Sequence, residues 1–160
     1  MAKRKRKLKL TCELVPEPCW YKNLRNEMPR PDWDRLRMQV YERADYVCEI
    51  CGDHGAGYRF ECHERWHYDD VNHVQTLLGL IALCPMCHRI KNIGVAHRIW
   101  KAGYYDLYRD IRNHFMRVNE CDLETFDEHH ADARRSAFER SKYEWMTDLG
   151  EFSDLVRKAA

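Results

Sequence analysis

Two short cysteine pairs carry the residue types best suited to binding a metal ion. Cys48 and Cys51 form one C-x2-C pair, and Cys84 and Cys87 form a second after a gap of 32 residues. The two-residue spacing lets both sulfurs of a turn face one ion, and four thiolates complete a tetrahedral zinc site with no open position. The sequence therefore predicts a structural Zn²⁺ site that ties the two pairs together and takes no part in a reaction.

A second set of candidate ligands lies between and just after these pairs. His88 precedes Asn92 by four residues, which places both on one face of a predicted helix. The segment Cys62-His63-Glu64 falls in the gap between the pairs, on a predicted strand. Alternation along that strand points Cys62 and Glu64 to one face and His63 to the other, unless a bulge intervenes. A histidine on the strand and another after the second pair favour a second metal site.

The apolar patterns predict an α+β chain. The predicted elements are a helix from about residue 31 to the first cysteine pair, strands over 58–66 and 77–83, and helices over 85–103, 104–118 and 123–149. The second strand is apolar on both faces, as in a fully buried strand. The order is helix, cysteine pair, two strands, cysteine pair and helix, followed by a helical tail.

Composition places the chain among ordinary globular proteins, with 33% charged and 44% hydrophobic residues in 160. The sequence has no apolar run of membrane-spanning length and no signal-peptide pattern. We therefore expect a cytoplasmic protein with no membrane partner, in which paired cysteines bind metal rather than form disulfides. The basic run Lys3-Arg4-Lys5-Arg6-Lys7 could neutralise phosphates of a nucleic acid or serve as a solubilising tail.

Three segments are predicted along the chain. Residues 1–30 form a basic arm and a proline-rich extended lead-in, 31–103 a core that contains both cysteine pairs, and 104–160 a helical extension. Cys12 and Cys19 are expected to be buried thiols rather than a third metal pair. His67 and the pair His129-His130 are expected on the surface, since adjacent helix residues point about 100° apart and rarely share an ion.

The middle of the chain, from about residue 46 to 97, resembles HNH endonucleases of the zinc-knuckle, ββα-metal type. The matching residues are Cys48-x2-Cys51, Glu61-Cys62-His63-Glu64, the run from Leu80 through Cys84-Pro85-Met86-Cys87-His88, and Lys91-Asn92. Residues 10–16 and Cys19-Trp20-Tyr21 also resemble bacterial and phage proteins of this kind. The resemblance implies a small ββα-metal (HNH) core stapled by the four-cysteine zinc site, with a preceding helix and a C-terminal helical extension.

The resemblance also implies roles for the second set of ligands. In the family, a strand carries a metal ligand followed by a general-base histidine, and the helix after the knuckle supplies a further ligand. His88 matches the helix ligand, and Asn92 matches an additional ligand found in some members. The central asparagine of the family is absent, and its place holds Gly79 or a neighbour.

Two registers of the strand are open. In one, Cys62 is the ligand and His63 the base; in the other, His63 is the ligand and Glu64 the base. A thiolate is a poor ligand for hard Mg²⁺, whereas imidazole suits Mn²⁺, Ni²⁺ and Zn²⁺, which favours the second register. Glutamate is a weaker base than histidine at neutral pH unless burial raises its pKa, which favours the first. His63 is required in both.

By this resemblance the protein is expected to be an endonuclease that hydrolyses phosphodiester bonds of DNA through one divalent ion and an activated water. The ion would be Mg²⁺, Mn²⁺ or Ni²⁺, with Zn²⁺ a further candidate. The basic residues that could contact phosphates are Arg59, Arg65, Arg89, Lys91 and Arg98. The alternatives are a catalytically degenerate zinc module that binds nucleic acid or a protein partner, and a zinc-stapled structural subunit.

Overall fold

The computed structural model describes residues 7–55 and 59–159 and has an α+β architecture. Its helices are α1 (Leu24–Glu27), α2 (Arg30–Arg43), α3 (Pro85–Lys91), α4 (Ile93–Lys101), α5 (Tyr105–Asn119), α6 (Leu123–Arg140) and α7 (Ser153–Ala159). One sheet has the strand order β1 (Glu61–Asp69), β2 (Val74–Leu83) and β3 (Met146–Asp148). Short 3-10 turns cover Glu17–Cys19 and Gly150–Phe152. The α+β prediction is confirmed; residues 1–6 of the predicted basic arm and Tyr58 lie outside the described residues.

Strands β1 and β2 form an antiparallel hairpin that reaches further toward its turn than predicted: β1 lies three residues later than the predicted strand, and β2 begins three residues earlier. Pairing runs from Glu61 opposite Leu83 to Asp69 opposite Val74. The added length comes from a tight polar turn, in which the Asp69 carboxylate accepts backbone N–H bonds at 3.0 and 3.1 Å from the two residues after Asp70. Such an Asx turn lets the strands pair up to the polar residues themselves, which an apolar pattern does not reveal.

A bulge between Arg65 and Trp66 interrupts the hairpin opposite Gly79. Gly79 has φ +150°, and a Cβ added there would lie 3.3 Å from Arg65 Nη2. A side chain at this position would therefore be strained by the backbone, and it would displace the tip of Arg65 by a few tenths of an ångström. The bulge lies after His63, so the alternation of faces through residues 61–65 is regular.

The single helix predicted over 85–103 is wrong, because the chain forms two helices, α3 and α4, that meet at Asn92. Asn92 has φ −113° and ψ 53°, outside the helical region. Its side-chain amide donates to the carbonyl of His88 at 3.2 Å. A short polar side chain that bonds the local backbone competes with helix continuation, which explains the break. The predicted helix over 104–118 is confirmed as α5.

The helix predicted over 123–149 is also wrong beyond residue 140. After α6 the chain turns back and adds β3 to the sheet, parallel to β2, with Val74 opposite Met146. Trp145 is 3% exposed, packs edge-on against Tyr68 at 5.4 Å, and donates its indole N–H to the Arg140 carbonyl at 2.8 Å. Burial of this tryptophan outweighs the propensity of the segment to continue the helix.

The lead-in packs against the helical extension. Leu10 is fully buried, and its backbone N–H and carbonyl both bond the Asn119 side chain, at 3.0 and 2.8 Å. Cys12 and Cys19 are 4% and 2% exposed, so the prediction that they are buried thiols is confirmed. None of the helices in the described ranges has the length and apolarity needed to cross a membrane.

Replacement of the central core aromatic tests this packing. Phe115 is fully buried and meets Phe126 edge-on at 5.1 Å. We expect Phe115→Ala to lower the free energy of unfolding by about 3–5 kcal/mol through lost burial and a cavity. Phe138 is 66% exposed, so the matched Phe138→Ala change should stay within about 0.5 kcal/mol. Urea denaturation of the metal-loaded protein measures both, and equal losses would contradict the described core.

Candidate metal centre and adjoining cleft

The four cysteines of the two pairs meet at one point. The sulfurs of Cys48, Cys51, Cys84 and Cys87 all lie within 4.8 Å of one another, and those of Cys51 and Cys84 are 3.7 Å apart. Zinc with four Zn–S bonds of about 2.3 Å would place its sulfurs roughly 3.8 Å apart. The spacing fits a structural metal ion such as zinc, which confirms the predicted metal-binding cluster. Hydrogen bonds from the Cys84 and Cys87 thiols lower the pKa of Cys48.

Local backbone bonds shape each pair. In the first, the Cys48 N–H donates to the Asp53 carbonyl and the Gly52 N–H donates to the Cys48 carbonyl, both at 2.9 Å. Gly52 has φ +78°, a conformation that glycine adopts without strain. In the second, Cys84 caps α3, and its sulfur accepts the Cys87 N–H at 3.4 Å. A helix that begins at the pair therefore turns both sulfurs to the same side.

Glu49 fastens the first pair to the end of β2. Its backbone N–H donates to the Ala82 carbonyl at 3.0 Å, and its carboxylate accepts the Ala82 N–H at 2.7 Å. These bonds hold the two cysteine pairs close to each other independently of any metal. The ion site is therefore supported by backbone pairing as well as by its ligands.

His114 of α5 contacts the cysteine cluster and was not identified from the sequence. Its Nε2 lies 3.1 Å from the Cys87 sulfur, and its Nδ1 lies 2.8 Å from Nη2 of Arg117. Arginine only donates, so Nδ1 accepts and the ring proton is on Nε2, from which it is donated to sulfur. Burial lowers the pKa of His114, which keeps the ring neutral. Its position 27 residues after Cys87 offered no motif that linked the two.

The two histidines of the predicted second site face each other. His63 on β1 is 8% exposed, and its ring centroid lies 5.7 Å from that of His88 on α3. The Asn92 amide nitrogen lies 2.9 Å from His88 Nε2, so this ring nitrogen carries a lone pair. Burial, with the charges of His63 and Arg89, lowers the pKa of His88 to about 4. His88 thus lies next to both His63 and Asn92.

Cys62 and Glu64 point to the other face of β1. Glu64 accepts the Arg25 backbone N–H and the Trp66 indole N–H, both at 3.1 Å. Burial, followed by the nearby Glu64 charge, raises the pKa of Cys62 to about 12. Both side chains line the same cleft as His63 and His88, but neither forms a group at metal-binding spacing with them. Within the described residues, the four cysteines are the one group of three or more His, Cys, Asp or Glu ligand atoms at metal-binding spacing.

Glu13, which the sequence did not single out, takes a position next to His63. Its Oε2 lies 3.2 Å from His63 Nε2, and its Oε1 lies 2.6 Å from Lys91 Nζ. Lys91 also donates to the Thr11 hydroxyl at 2.8 Å. Burial raises the pKa of Glu13, but the His63 hydrogen bond and the Lys91 charge outweigh it and lower the pKa overall. Glu13 is far from His63 in sequence, so only the folded lead-in joins them.

His63, His88, Asn92 and Glu13 line an open cleft of 1580 Å³. Among the described residues nine basic and five acidic side chains line it, so its walls have an excess of positive charge. Two of the basic residues suggested from the sequence, Arg59 and Arg89, line the cleft, and so does Arg25 of α1. None of these three arginines is paired with a described carboxylate. Lys91 is paired with Glu13, and Arg98 is exposed on α4.

The other histidines divide into two cases. His67 is exposed, as predicted. The surface prediction for His129-His130 is wrong, because both are half-buried against the core. His129 Nε2 accepts the Cys12 backbone N–H at 2.9 Å, so it serves as an anchor for the lead-in.

In comparisons with known proteins, no family model, no curated protein and no solved structure gives a match to this chain.

The hydrogen bond from His114 to the Cys87 sulfur predicts that His114 strengthens Zn²⁺ binding by the cysteine cluster. We expect His114→Ala to weaken Zn²⁺ affinity about 10- to 100-fold, because the Cys87 sulfur loses its hydrogen bond. Competition with a chromophoric chelator measures the affinity. His67→Ala, an exposed histidine on β1, is the matched control and should bind zinc like the parent protein. Equal affinities for all three proteins would contradict the described hydrogen bond.

The pKa of Cys62 predicts a steep pH dependence of its alkylation. With a folded pKa of about 12, the thiolate fraction at pH 8 is very small and rises about tenfold per pH unit. We expect Cys62 in the zinc-loaded protein to react far more slowly with iodoacetamide than the same residue in guanidinium, as measured by peptide mass spectrometry. Rapid modification at pH 8 in the folded protein would show that the thiol is not shielded.

Proposed function

We propose that this protein is a metal-dependent DNA endonuclease of the HNH type, with a ββα-metal core formed by β1, β2 and α3. The observation that carries the proposal is the pairing of His63 on β1 with His88 on α3, 5.7 Å apart between ring centroids, in a cleft with basic walls. The helix that presents His88 begins at a cysteine pair of the metal cluster. This combination is suited to phosphodiester hydrolysis.

The side chains that would hold the catalytic ion are those of His88 and Asn92, with His63 on the opposite wall; the ion would take the place of the Asn92 N–H at His88 Nε2. A bound divalent ion would supply a Lewis acid that polarises the phosphate and stabilises charge on the leaving oxygen. Imidazole and amide donors suit Mn²⁺ and Ni²⁺, and Mg²⁺ to a smaller extent. The low pKa of His88, about 4, favours the neutral ring that acts as a ligand.

The remaining residues of the cleft have roles in binding and orientation. Arg25, Arg59 and Arg89 supply positive charge for the phosphates that flank the cut, a sequence-independent contact. Glu64 bonds the Arg25 N–H on the other face of β1 and so anchors α1 beside the cleft. Burial raises the pKa of Glu64, but both of its oxygens accept N–H bonds from Arg25 and Trp66, which supports His63 rather than Glu64 as the group that accepts a proton. The cysteine cluster positions α3 and does not react.

A plasmid nicking assay tests the proposal. With Mg²⁺, Mn²⁺ or Ni²⁺ we expect cleavage by the parent protein and a fall of at least about 100-fold in rate for His63→Ala and for His88→Ala. His54→Ala removes an exposed histidine that does not line the cleft, and this variant should cleave like the parent. Zinc content and melting temperature are measured for every variant to separate lost chemistry from lost fold.

Two outcomes would reject the endonuclease. One is the lack of cleavage by the parent protein in all three metals, and the other is unchanged cleavage by both histidine variants. In the first case, binding to duplex DNA that weakens steeply with salt and survives His63→Ala would identify the noncatalytic zinc module instead. Without DNA binding at low salt, a structural subunit would be the remaining function.

A further inference from the structure

The Glu13 side chain connects the lead-in to both walls of the cleft. One carboxylate oxygen lies 3.2 Å from His63 Nε2 on β1, and the other lies 2.6 Å from Lys91 Nζ on α3. The Lys91 side chain is only 11% exposed, and Thr11 accepts a second of its N–H bonds at 2.8 Å. A shielded lysine needs such a counter-charge, so the ion pair fixes Glu13 in place.

The contact with Glu13 determines the tautomer of His63. A carboxylate paired with a lysine only accepts hydrogen bonds, so the imidazole proton must lie on Nε2. The other ring nitrogen, Nδ1, then carries a lone pair. Among the described residues Nδ1 has no hydrogen-bond partner, and it is not among the fully buried polar atoms that lack one. His63 therefore has one nitrogen fixed by the protein and one open to accept a proton.

We propose that Glu13 is the positioning residue for His63: it holds the Nε2–H tautomer and leaves Nδ1 as the base that activates water. The inference rests on the proposed endonuclease function and adds a residue from outside the ββα core. In the step, an O–H bond of water breaks and its proton goes to Nδ1. The water oxygen bonds to phosphorus, and the bond from phosphorus to the leaving oxygen breaks, with solvent protonating that oxygen. The resulting imidazolium faces the Glu13 carboxylate, which stabilises its charge.

The same contacts argue against Glu13 as a metal ligand. Both of its oxygens are engaged, one by His63 and one by Lys91. A cation bound at Glu13 would have to displace the lysine ammonium or lie close to it, at the cost of charge repulsion. The two roles make different predictions for metal affinity, which allows an experiment to separate them.

The test has a spectroscopic arm and a kinetic arm. In the zinc-loaded protein without a second metal, ¹⁵N NMR should show His63 as the Nε2–H tautomer, and Glu13→Ala should convert it to a mixture. In nicking kinetics, Glu13→Ala should lower kcat about 100-fold while KM for DNA and the affinity for Mn²⁺ stay within about twofold. Glu17→Ala removes an exposed glutamate from the same lead-in and should change neither the His63 tautomer nor kcat.

A double variant shows whether Glu13 acts through His63. If it does, Glu13→Ala/His63→Ala should be no slower than His63→Ala alone. Glu13→Gln keeps the size of the side chain and serves if Glu13→Ala does not fold. It also removes the negative charge opposite the imidazolium, so kcat should still fall at least about tenfold.

Three results would overturn the inference. The first is an Nδ1–H tautomer of His63 in the parent protein, and the second is an unchanged kcat in the Glu13 variants. The third is a loss of Mn²⁺ affinity of more than about tenfold in those variants, with kcat restored by excess metal; this result would make Glu13 a metal ligand. Lack of cleavage by the parent protein would reject the proposed function, and with it the role of Glu13 in water activation. The NMR arm would then still decide whether Glu13 fixes the ring of His63.

Discussion

The junction of the two cysteine pairs is the constraint on which the geometry of the cleft depends. Cys48 and Cys51 follow α2, whereas Cys84 and Cys87 join the end of β2 to α3. Helix α3 has only seven residues, and a helix of this length has little stability of its own. Its position therefore comes from the cluster, from the Glu49 bonds to β2 and from packing against α5. Because α3 carries His88 and Lys91, a shift at the junction would move both cleft walls relative to each other.

A single strand serves two different surfaces. His63 faces α3 and Glu13, whereas Cys62 and Glu64 face α1 and α2. A slip of one residue in the pairing of β1 would exchange these faces, so the register must be specified strongly. The bulge at Arg65, together with the unusual backbone of Gly79, limits the register from one side, and the buried residues of β2 limit it from the other.

The lead-in is a structural part of the cleft rather than a tether. Its backbone bonds Asn119 through Leu10 and His129 through Cys12, so it is fastened to two helices of the C-terminal extension. Between these anchors and the cleft, Thr11 and Glu13 reach Lys91. The charge of the shielded Lys91 is paired with the Glu13 carboxylate, which also contacts His63. By anchoring the lead-in, the C-terminal extension thus helps to position Glu13 at the cleft.

The sequence by itself determined the local features of this protein. The cysteine spacing identified the metal cluster, because two ligands in one turn depend only on neighbouring residues, and apolar periodicity identified α2, the hairpin and α5. It also led us to expect His63 opposite His88, since the strand with His63 lies between the pairs and His88 directly follows the second. Only the tertiary structure decided where α6 ends, because burial of Trp145 outweighs helix propensity. The end of α3 is set locally by the Asn92 side chain, a feature that apolar periodicity does not reveal. The tertiary structure alone brought Glu13 to His63 and His114 to Cys87, contacts between residues far apart in the chain that no local pattern encodes.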